Sequence, residues 1–385
     1  MDPLTAYHAW ILDAALPAWS TIGFDASAGR FRERLSWTGA PVDVPHRAMV
    51  QARQIYVFSH ACHLGWFPDG GRLAEIAMAS LLRDFCDETK GAASFAFSID
   101  ARGRVQSNVR DAYAHAFVLF AIAWLHRLNG DPALLRLAQK TNAFIKASLV
   151  DAQHGGLFDA YPAASRQKRQ NPLMHLVEAY LALERSAPGQ GYLEDASTLI
   201  TLFCRRLLTA DGSMLLEHFN EDWSPRTDSA QGGMFEPGHH FEWVWLLHEY
   251  GQLSGEDLAG QGGSLYDVAR RNGIAADGLV HDEVATDMTV LKPSHRVWPH
   301  TEAIKAAAVR HSAGDTAAVQ FARAMAQGLL DNFLDRPFEG GWTDHIDESR
   351  LPLVDYVPAS SLYHLFFAAA EATTSFGPTG AGLSP

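Results

Sequence analysis

The sequence predicts an all-α protein, a single (α/α)6 barrel in which a toroid of six helical hairpins spans residues 1–385. Three observations predict it. Roughly twelve segments carry apolar residues at helical spacing between Gly and Pro breaks. The second helices of successive pairs start at intervals of roughly sixty residues, a period that signals a repeated architecture. No linker or composition break divides the chain, and six repeats without evident polar caps favour closure over an open solenoid.

In chain order, the first pair covers about 3–20 and 46–64, and the second 71–88 with 110–128. Then come 132–149 with 172–186, and 191–208 with 239–253. The last two are 263–272 with 299–312, and 316–334 with 360–373. Gly-rich or aromatic segments lie between paired helices, such as His154-Gly155-Gly156-Leu157-Phe158 and Glu339-Gly340-Gly341-Trp342. Short strand signals near 95–99 and 214–218 predict hairpins at one mouth of the barrel.

Composition narrows the function. Hydrophobic residues make 47% and charged residues 19%, a globular balance with ample material for a core. A net charge of −13 argues against nucleic acid or an anionic membrane as partner, since both need basic surface. The three cysteines, Cys62, Cys86 and Cys204, are too scattered for a disulfide framework or a zinc cage. The start, MDPLTAYHAW, lacks the pattern of a signal peptide, and the apolar run 117–125 is too short to span a bilayer. A cytoplasmic protein, monomeric or homodimeric, is expected.

The most informative stretch is Pro237-Gly238-His239-His240-Phe241-Glu242-Trp243. The Pro-Gly break starts a helix on which His239, Glu242 and Trp243 stand at i, i+3 and i+4 and share a face. Glu242 is placed to hold one ring nitrogen of His239, fixing its tautomer. The bland reading is a structural His–Glu pair. His240 points elsewhere and is expected to be structural.

One polar residue from the inner helix of each pair repeats this phase: Arg53, Tyr113, His175, His239, Glu302 and His364, spaced by 60, 62, 64, 63 and 62 positions. A toroid would aim all six into one central funnel. Asn171 reads as the N-cap of the helix that Pro172 opens, and it shares a face with His175 at i+4; a capping Asn beside a half-buried His is the plain alternative. Trp298 precedes a Pro-opened helix and offers a flat face to a sugar ring, or simply fills core. Arg53 could bond a hydroxyl or pair with a carboxylate. His60 and His63 read as structural. Nucleotide-binding, HExxH and GxSxG patterns do not occur, and the His and carboxylate positions form no ligand set of recognisable spacing, so neither metal nor cofactor is expected.

The segments RQIYVFSHA, YAHAFVLFA, NPLMHLVEAYLAL, FEPGHHFEWVWLL, RVWPHTEAIKA and SSLYHL, in that order over roughly 50–365, together resemble the N-acylglucosamine 2-epimerase superfamily of sugar epimerases and isomerases. Within it the wording is most like the bacterial D-mannose isomerases. The resemblance implies the (α/α)6 barrel and a monosaccharide substrate. By motif, His239 and His364 match the acid/base histidines, and Arg53, Asn171, His175, Glu242 and Trp298 match substrate-pocket positions, with Tyr113 and Glu302 beside them. An additional pocket arginine is expected upstream of His239, where Arg226 is the nearest candidate.

The implied reaction is aldose–ketose isomerisation of D-mannose and D-fructose, with D-lyxose as a further substrate. His364 would move the proton between C2 and C1 through a cis-enediol. His239, oriented by Glu242, would open the ring, while Arg53 and His175 polarise the enediolate. Carbon-2 epimerisation is the near rival. A glycoside hydrolase on the same toroid is the distant one, and it would need paired carboxylates where this chain is richer in histidine.

Overall fold

In the computed structural model, which describes residues 1–226 and 233–377, thirteen helices account for the expected segments. They are α1 (Pro3–Trp10), α2 (Leu16–Thr21), α3 (Ala48–His63), α4 (Gly70–Phe85), α5 (Ala112–Asn129), α6 (Pro132–Phe144) and α7 (Gln170–Ser186). Then follow α8 (Tyr192–Leu202), α9 (Pro237–Ser254), α10 (Ala259–Asn272), α11 (Val297–Ser312), α12 (Ala318–Asn332) and α13 (Leu362–Phe376). A π turn at Ile11–Ala15 joins α1 to α2, so these two form one outer rod.

The inner helices α3, α5, α7, α9, α11 and α13 pack each on the next, and α13 packs back on α3, so the ring closes. Sequence patterning explains the two layers. In α5 the residues from Ala112 to Leu125 are buried on nearly every side, as a helix walled by neighbours must be. Outer helices such as α4 bury only one stripe, including Leu73, Ala77, Leu81 and Phe85. The hairpin pairing differs from expectation by one step. Tight packing joins α3, α5, α7, α9 and α11 each to the outer helix that follows it, as in α3 with α4 and α5 with α6, while α4 barely touches α5. Short turns fold helices back on themselves, and the turn after α3 (64–69) is far shorter than the connection after α4 (86–111).

The long connections gather at the mouth where the inner helices begin. Instead of folding mainly into separate hairpins, they are stitched to one another in an antiparallel belt. His46–Arg47 pairs with Ser98–Ile99, Arg110–Asp111 with Ala160–Tyr161, and Lys168–Arg169 with His218–Phe219. Met234–Phe235 pairs with Glu283–Ala285, His295–Arg296 with His345–Ile346, and Tyr356–Pro358 with Arg34–Ser36. Each connection is thereby tied to the next around the ring. The expected strand near 95–99 is split: Phe95 closes a hairpin of Cys86–Thr89 with Ala92–Phe95, while Ser98–Ile99 joins the belt, as does His218 of the one near 214–218.

Three buried histidines lock the connections that carry this belt onto the inner helices. Nε2 of His115, His240 and His300 accepts the backbone N–H of Phe95, Leu215 and Val280 at 3.1, 3.2 and 3.0 Å. His115 and His300 also donate Nδ1–H to the carbonyls of Asp111 and Arg296. Burial pushes all three down to about 4, so they stay neutral and keep the lone pair that the belt amide needs. His240 thus has the structural role its outward phase implied.

Candidate active site

The six phased side chains meet at the N-terminal ends of the inner helices, below the belt. On α3, Arg53 donates to the Tyr113 hydroxyl and to the Ser360 carbonyl, and its guanidinium lies 4.2 Å from the Phe117 ring centre and 4.8 Å from that of Tyr363. The Tyr113 ring stands edge-on to His175, 4.9 Å between centroids. Nδ1 of His175 is 3.1 Å from Glu178 and 3.8 Å from Glu242. Nδ1 of His364 is 2.7 Å from Glu302. Trp298 joins the two halves, its ring 5.0 Å from that of His239 and 5.5 Å from that of His364.

The partner of His239 is a correction. Glu242 does not hold its ring; Nδ1 lies 3.0 Å from both oxygens of Glu217, with Glu236 at 4.0 Å. From its place one turn along α9, Glu242 is directed to the axis of the barrel, towards Glu178, Glu302 and Lys305. Glu217 is itself positioned by Gln170 Nε2 at 2.9 Å, and Gln170 Oε1 accepts the indole N–H of Trp243. Trp243 is fully buried and stacked on Phe203 at 4.0 Å, a core wall outside the funnel.

Asn171 is a second correction. The helix starts at Gln170 after the Lys168–Arg169 strand, so Asn171 lies inside its first turn and caps nothing. Its carboxamide nitrogen is instead 3.2 Å from Nε2 of His239. A protonated imidazole has only donors, so a charged His239 requires the amide oxygen at that place. Oδ1 is the Asn171 atom otherwise left buried without a partner.

The electrostatics divide the two histidines. Burial alone would strip the proton from His239, but Glu217, Glu236 and Glu242 overcome it and push the imidazole up to about 10. Burial opposes ionisation of Glu217 too, and His239 with its other donors holds that carboxyl below its ordinary range. For His364 burial wins over the pull of Glu302, and the imidazole falls to about 3. Burial also takes His175 down to about 4. Glu302 is driven the other way, to about 2, because Lys305 and His364 outweigh its burial. At neutral pH the site therefore holds a cationic His239 and a neutral His364, both beside one indole.

Among the described residues, three groups of side chains have ligand atoms within 4.8 Å of one another: His175, Glu178 and Glu242; Glu217, Glu236 and His239; and Glu242, Glu302 and His364. No such grouping was visible as spacing in the sequence. In the second the imidazole carries its own proton. In the first, Glu178 already serves His175 and the Tyr363 hydroxyl. In the third, the ammonium of Lys305 is 2.9 Å from Glu302. The cation paired with Glu302 is therefore a lysine.

Glu217, Gln170, Glu178, Lys305 and Tyr363 were not anticipated. Glu178 and Lys305 carried a signal, standing at i+3 from His175 and Glu302. Arg226 donates to Gln167 Oε1 at 3.1 Å in the connection before α9; the residues that follow it, 227–232, lie outside those described. Around the rim, the residues just before α3, α7 and α11 are Arg47, Arg169 and Arg296, paired with Glu33, Asp159 and Glu236. A cavity of about 550 Å³ opens beside the first of these, bordered by Arg34, Arg47, Phe97, Tyr356 and Ser360.

The sequence model of the N-acylglucosamine 2-epimerase (GlcNAc 2-epimerase) family matches residues 29–368. The chain is 30% identical over 374 residues to a mannose-6-phosphate isomerase of Rhizobium meliloti (strain 1021), covering 94% of each. It is 26% identical over 285 residues to a cellobiose 2-epimerase of Bacteroides fragilis, covering 69% of this chain and 70% of that one. A crystal structure of a D-mannose isomerase shares its fold, with a TM-score of 0.85 and 21% identity over 96% of this chain and 97% of the other.

Proposed function

The chain belongs to the N-acylglucosamine 2-epimerase family of sugar isomerases and epimerases, and on that premise we propose that it isomerises D-mannose to D-fructose. One observation carries the reading: the His239 imidazole, held by Glu217, and the His364 imidazole, held by Glu302, lie 5.0 and 5.5 Å from the same indole. Aldose–ketose isomerisation needs an acid at the ring oxygen and then a base at C2.

His239, kept protonated by Glu217, is suited to give its proton to O5 as the pyranose opens. His364 donates Nδ1–H to Glu302, which leaves Nε2 with a lone pair for the C2 proton. The imidazolium so formed is a strong acid in this buried setting, which favours return of the proton to C1 of the cis-enediol. Arg53, cationic and walled by Phe117, Tyr113 and Tyr363, is suited to stabilise the enediolate oxygens. The indole of Trp298 offers the apolar face of the sugar a surface.

The rim supports an uncharged substrate. Arg47, Arg169 and Arg296 each have a carboxylate partner and Arg34 lies 4.4 Å over the Tyr356 ring, so the rim cations are engaged before a phosphate arrives. Unphosphorylated mannose is therefore favoured over mannose 6-phosphate, with lyxose as a smaller alternative. Three free thiols suit a reducing cytoplasm. A second reading is C2 epimerisation, in which His239, the other imidazole beside the same indole, returns the proton to the opposite face of C2.

Proton NMR of D-mannose with the enzyme in deuterated water separates these. Fructose carrying deuterium at C1 is expected. Glucose labelled at C2 would establish the epimerase, and turnover of mannose 6-phosphate alone would overturn the argument from the rim. Absence of product and of exchange with every aldose would sink both readings.

A further inference from the structure

Beneath the two histidines, the barrel axis holds a lysine with no path to water. Lys305 and Glu302 are both 0% exposed, and the ammonium is 2.9 Å from Glu302 Oε2. The charged end lies 4.2 Å from the ring centre of Phe367 and 4.6 Å from that of Trp245, so the stem is fixed by packing. A lysine is rarely buried unless it serves a partner.

We propose that Lys305 is a positioning residue of the acid/base machinery: it keeps Glu302 a carboxylate, and Glu302 thereby fixes His364 in the tautomer whose Nε2 is the base. This rests on the isomerase/epimerase reading of the site.

The surroundings of the pair carry the argument. Towards Lys305 face Glu302 from its own helix, Glu242 from α9, Glu178 from α7 and Glu371 from α13. Towards Glu302 face His364 and Tyr363 from α13, Tyr56 from α3 and Tyr7 from the first outer helix. Arg53 on α3, and His175 and His239 on α7 and α9, complete the layer. Several carboxyl groups thus compete for a single ammonium. Glu242 is left with no hydrogen-bond partner on either oxygen, and burial with Glu302 beside it raises its carboxyl well above the ordinary range. Glu302 has Lys305 against one oxygen and His364 Nδ1 against the other.

Stripped of the ammonium, a buried carboxyl among other carboxyls takes up a proton. A protonated Glu302 donates to Nδ1 of His364 instead of accepting from it. The imidazole proton then moves to Nε2, and the lone pair that should meet C2 is lost. Placement at i+3 from Glu302 also sets the ammonium on the side of Glu302 away from the sugar, so it charges the relay without competing for the substrate.

The test compares K305M, K305R, E302Q and the E302Q/K305M double variant with wild type. Two readouts are followed: the pH profile of mannose turnover, and the ¹⁵N NMR signature of the His364 ring without substrate. K305M should lower kcat about 100-fold near neutrality, the scale of a lost general base, with KM little changed. Its acid limb should move up by a pH unit or more, and the proton should appear on Nε2. K305R should recover most of the loss. In the E302Q background the second substitution should cost less than twofold, and this double variant, which removes both buried charges, keeps the comparison open where K305M alone does not fold.

A K305M enzyme with the wild-type acid limb and Nδ1–H signature would overturn the proposal, as would an undiminished loss in the E302Q background. The ring signature is read without turnover. A wild type inert towards mannose therefore tells against the assigned reaction, while the tautomer still decides the role of Lys305.

Discussion

Trp298 lies so close over Gly238 that a β-carbon on the glycine would stand 2.5 Å from the indole carbons Cη2 and Cζ3, and 3.0 Å from Pro299. Gly238 is therefore part of the site although it has no side chain. It lets the indole slide across the start of α9 to reach both histidine rings. The helix it occupies needs no glycine for its own sake, since Gly238 has no positive φ.

Gly238→Ala should consequently cost more than helix propensity allows. The alanine favours the helix, yet overpacking a filled site costs about 1–3 kcal/mol. The expected enzyme is less stable to urea by that amount, with a raised KM for the sugar as the indole is pushed off its place. A variant as stable and active as wild type would show that Trp298 can move aside freely.

Glu217→Gln tests the charge on His239. Without the carboxylate, burial dominates and the imidazole loses its proton well below the wild-type value of about 10. The alkaline limb of kcat/KM should shift to lower pH, and turnover near neutrality should fall about 100-fold, as for a lost general acid. An unshifted limb would return Glu242 or Glu236 to the role of partner.

How much of this was legible follows from where each residue sits. His239, Trp298, Glu302 and His364 lie in the first two turns of inner helices whose starts are marked by Pro or Gly, so helical phase alone aligned them. Glu217 stands in an irregular connection, 22 residues before His239, and no periodicity relates the two; only the stitching of Lys168–Arg169 to His218–Phe219 brings it under the ring. Lys305 was in phase with Glu302, yet lysine on a helix reads as solvent-facing until carboxylates on other helices are known to surround it. Asn171 looked like a cap because caps are local, whereas the belt strand before it moved the helix start to Gln170. The hairpin pairing was within reach, since the turn after α3 is shorter than the connection after α4.

Substituting the two histidines separately should split the reaction. His364→Gln should abolish C2 proton exchange for any aldose, by about 10²–10⁴-fold. His239→Gln should lose mannose turnover to a similar degree but keep exchange on glyceraldehyde, which has no ring to open. Deuterium uptake followed by NMR reads both. Equal loss of both activities in His239→Gln would assign that residue to the carbon proton as well.

Acid should unfold this protein early. His115, His175, His240 and His300 are held at about 4 and His364 at about 3, chiefly by burial. An unfolded chain protonates these rings near pH 6.5, so between there and pH 4 it binds protons that the fold refuses. Their contribution is full above 6.5 and is lost as pH falls from 6.5 towards 4 and 3. His239 has the opposite sign: its proton stays in the fold up to about 10. The stabilisation from that group is full below 6.5 and is lost as pH rises towards 10. Stability should therefore peak near neutrality and fall steeply on the acid side, by about 1.4 kcal/mol per pH unit for each such histidine. His300→Gln removes one of these sites, which costs the belt a hydrogen bond to Val280 but should make the dependence on pH between 6 and 5 shallower by one proton. Thermal midpoints across pH 4.5–7.5 measure this directly, and a midpoint flat from pH 7 to 4.5 would mean that the buried rings gain protons without unfolding.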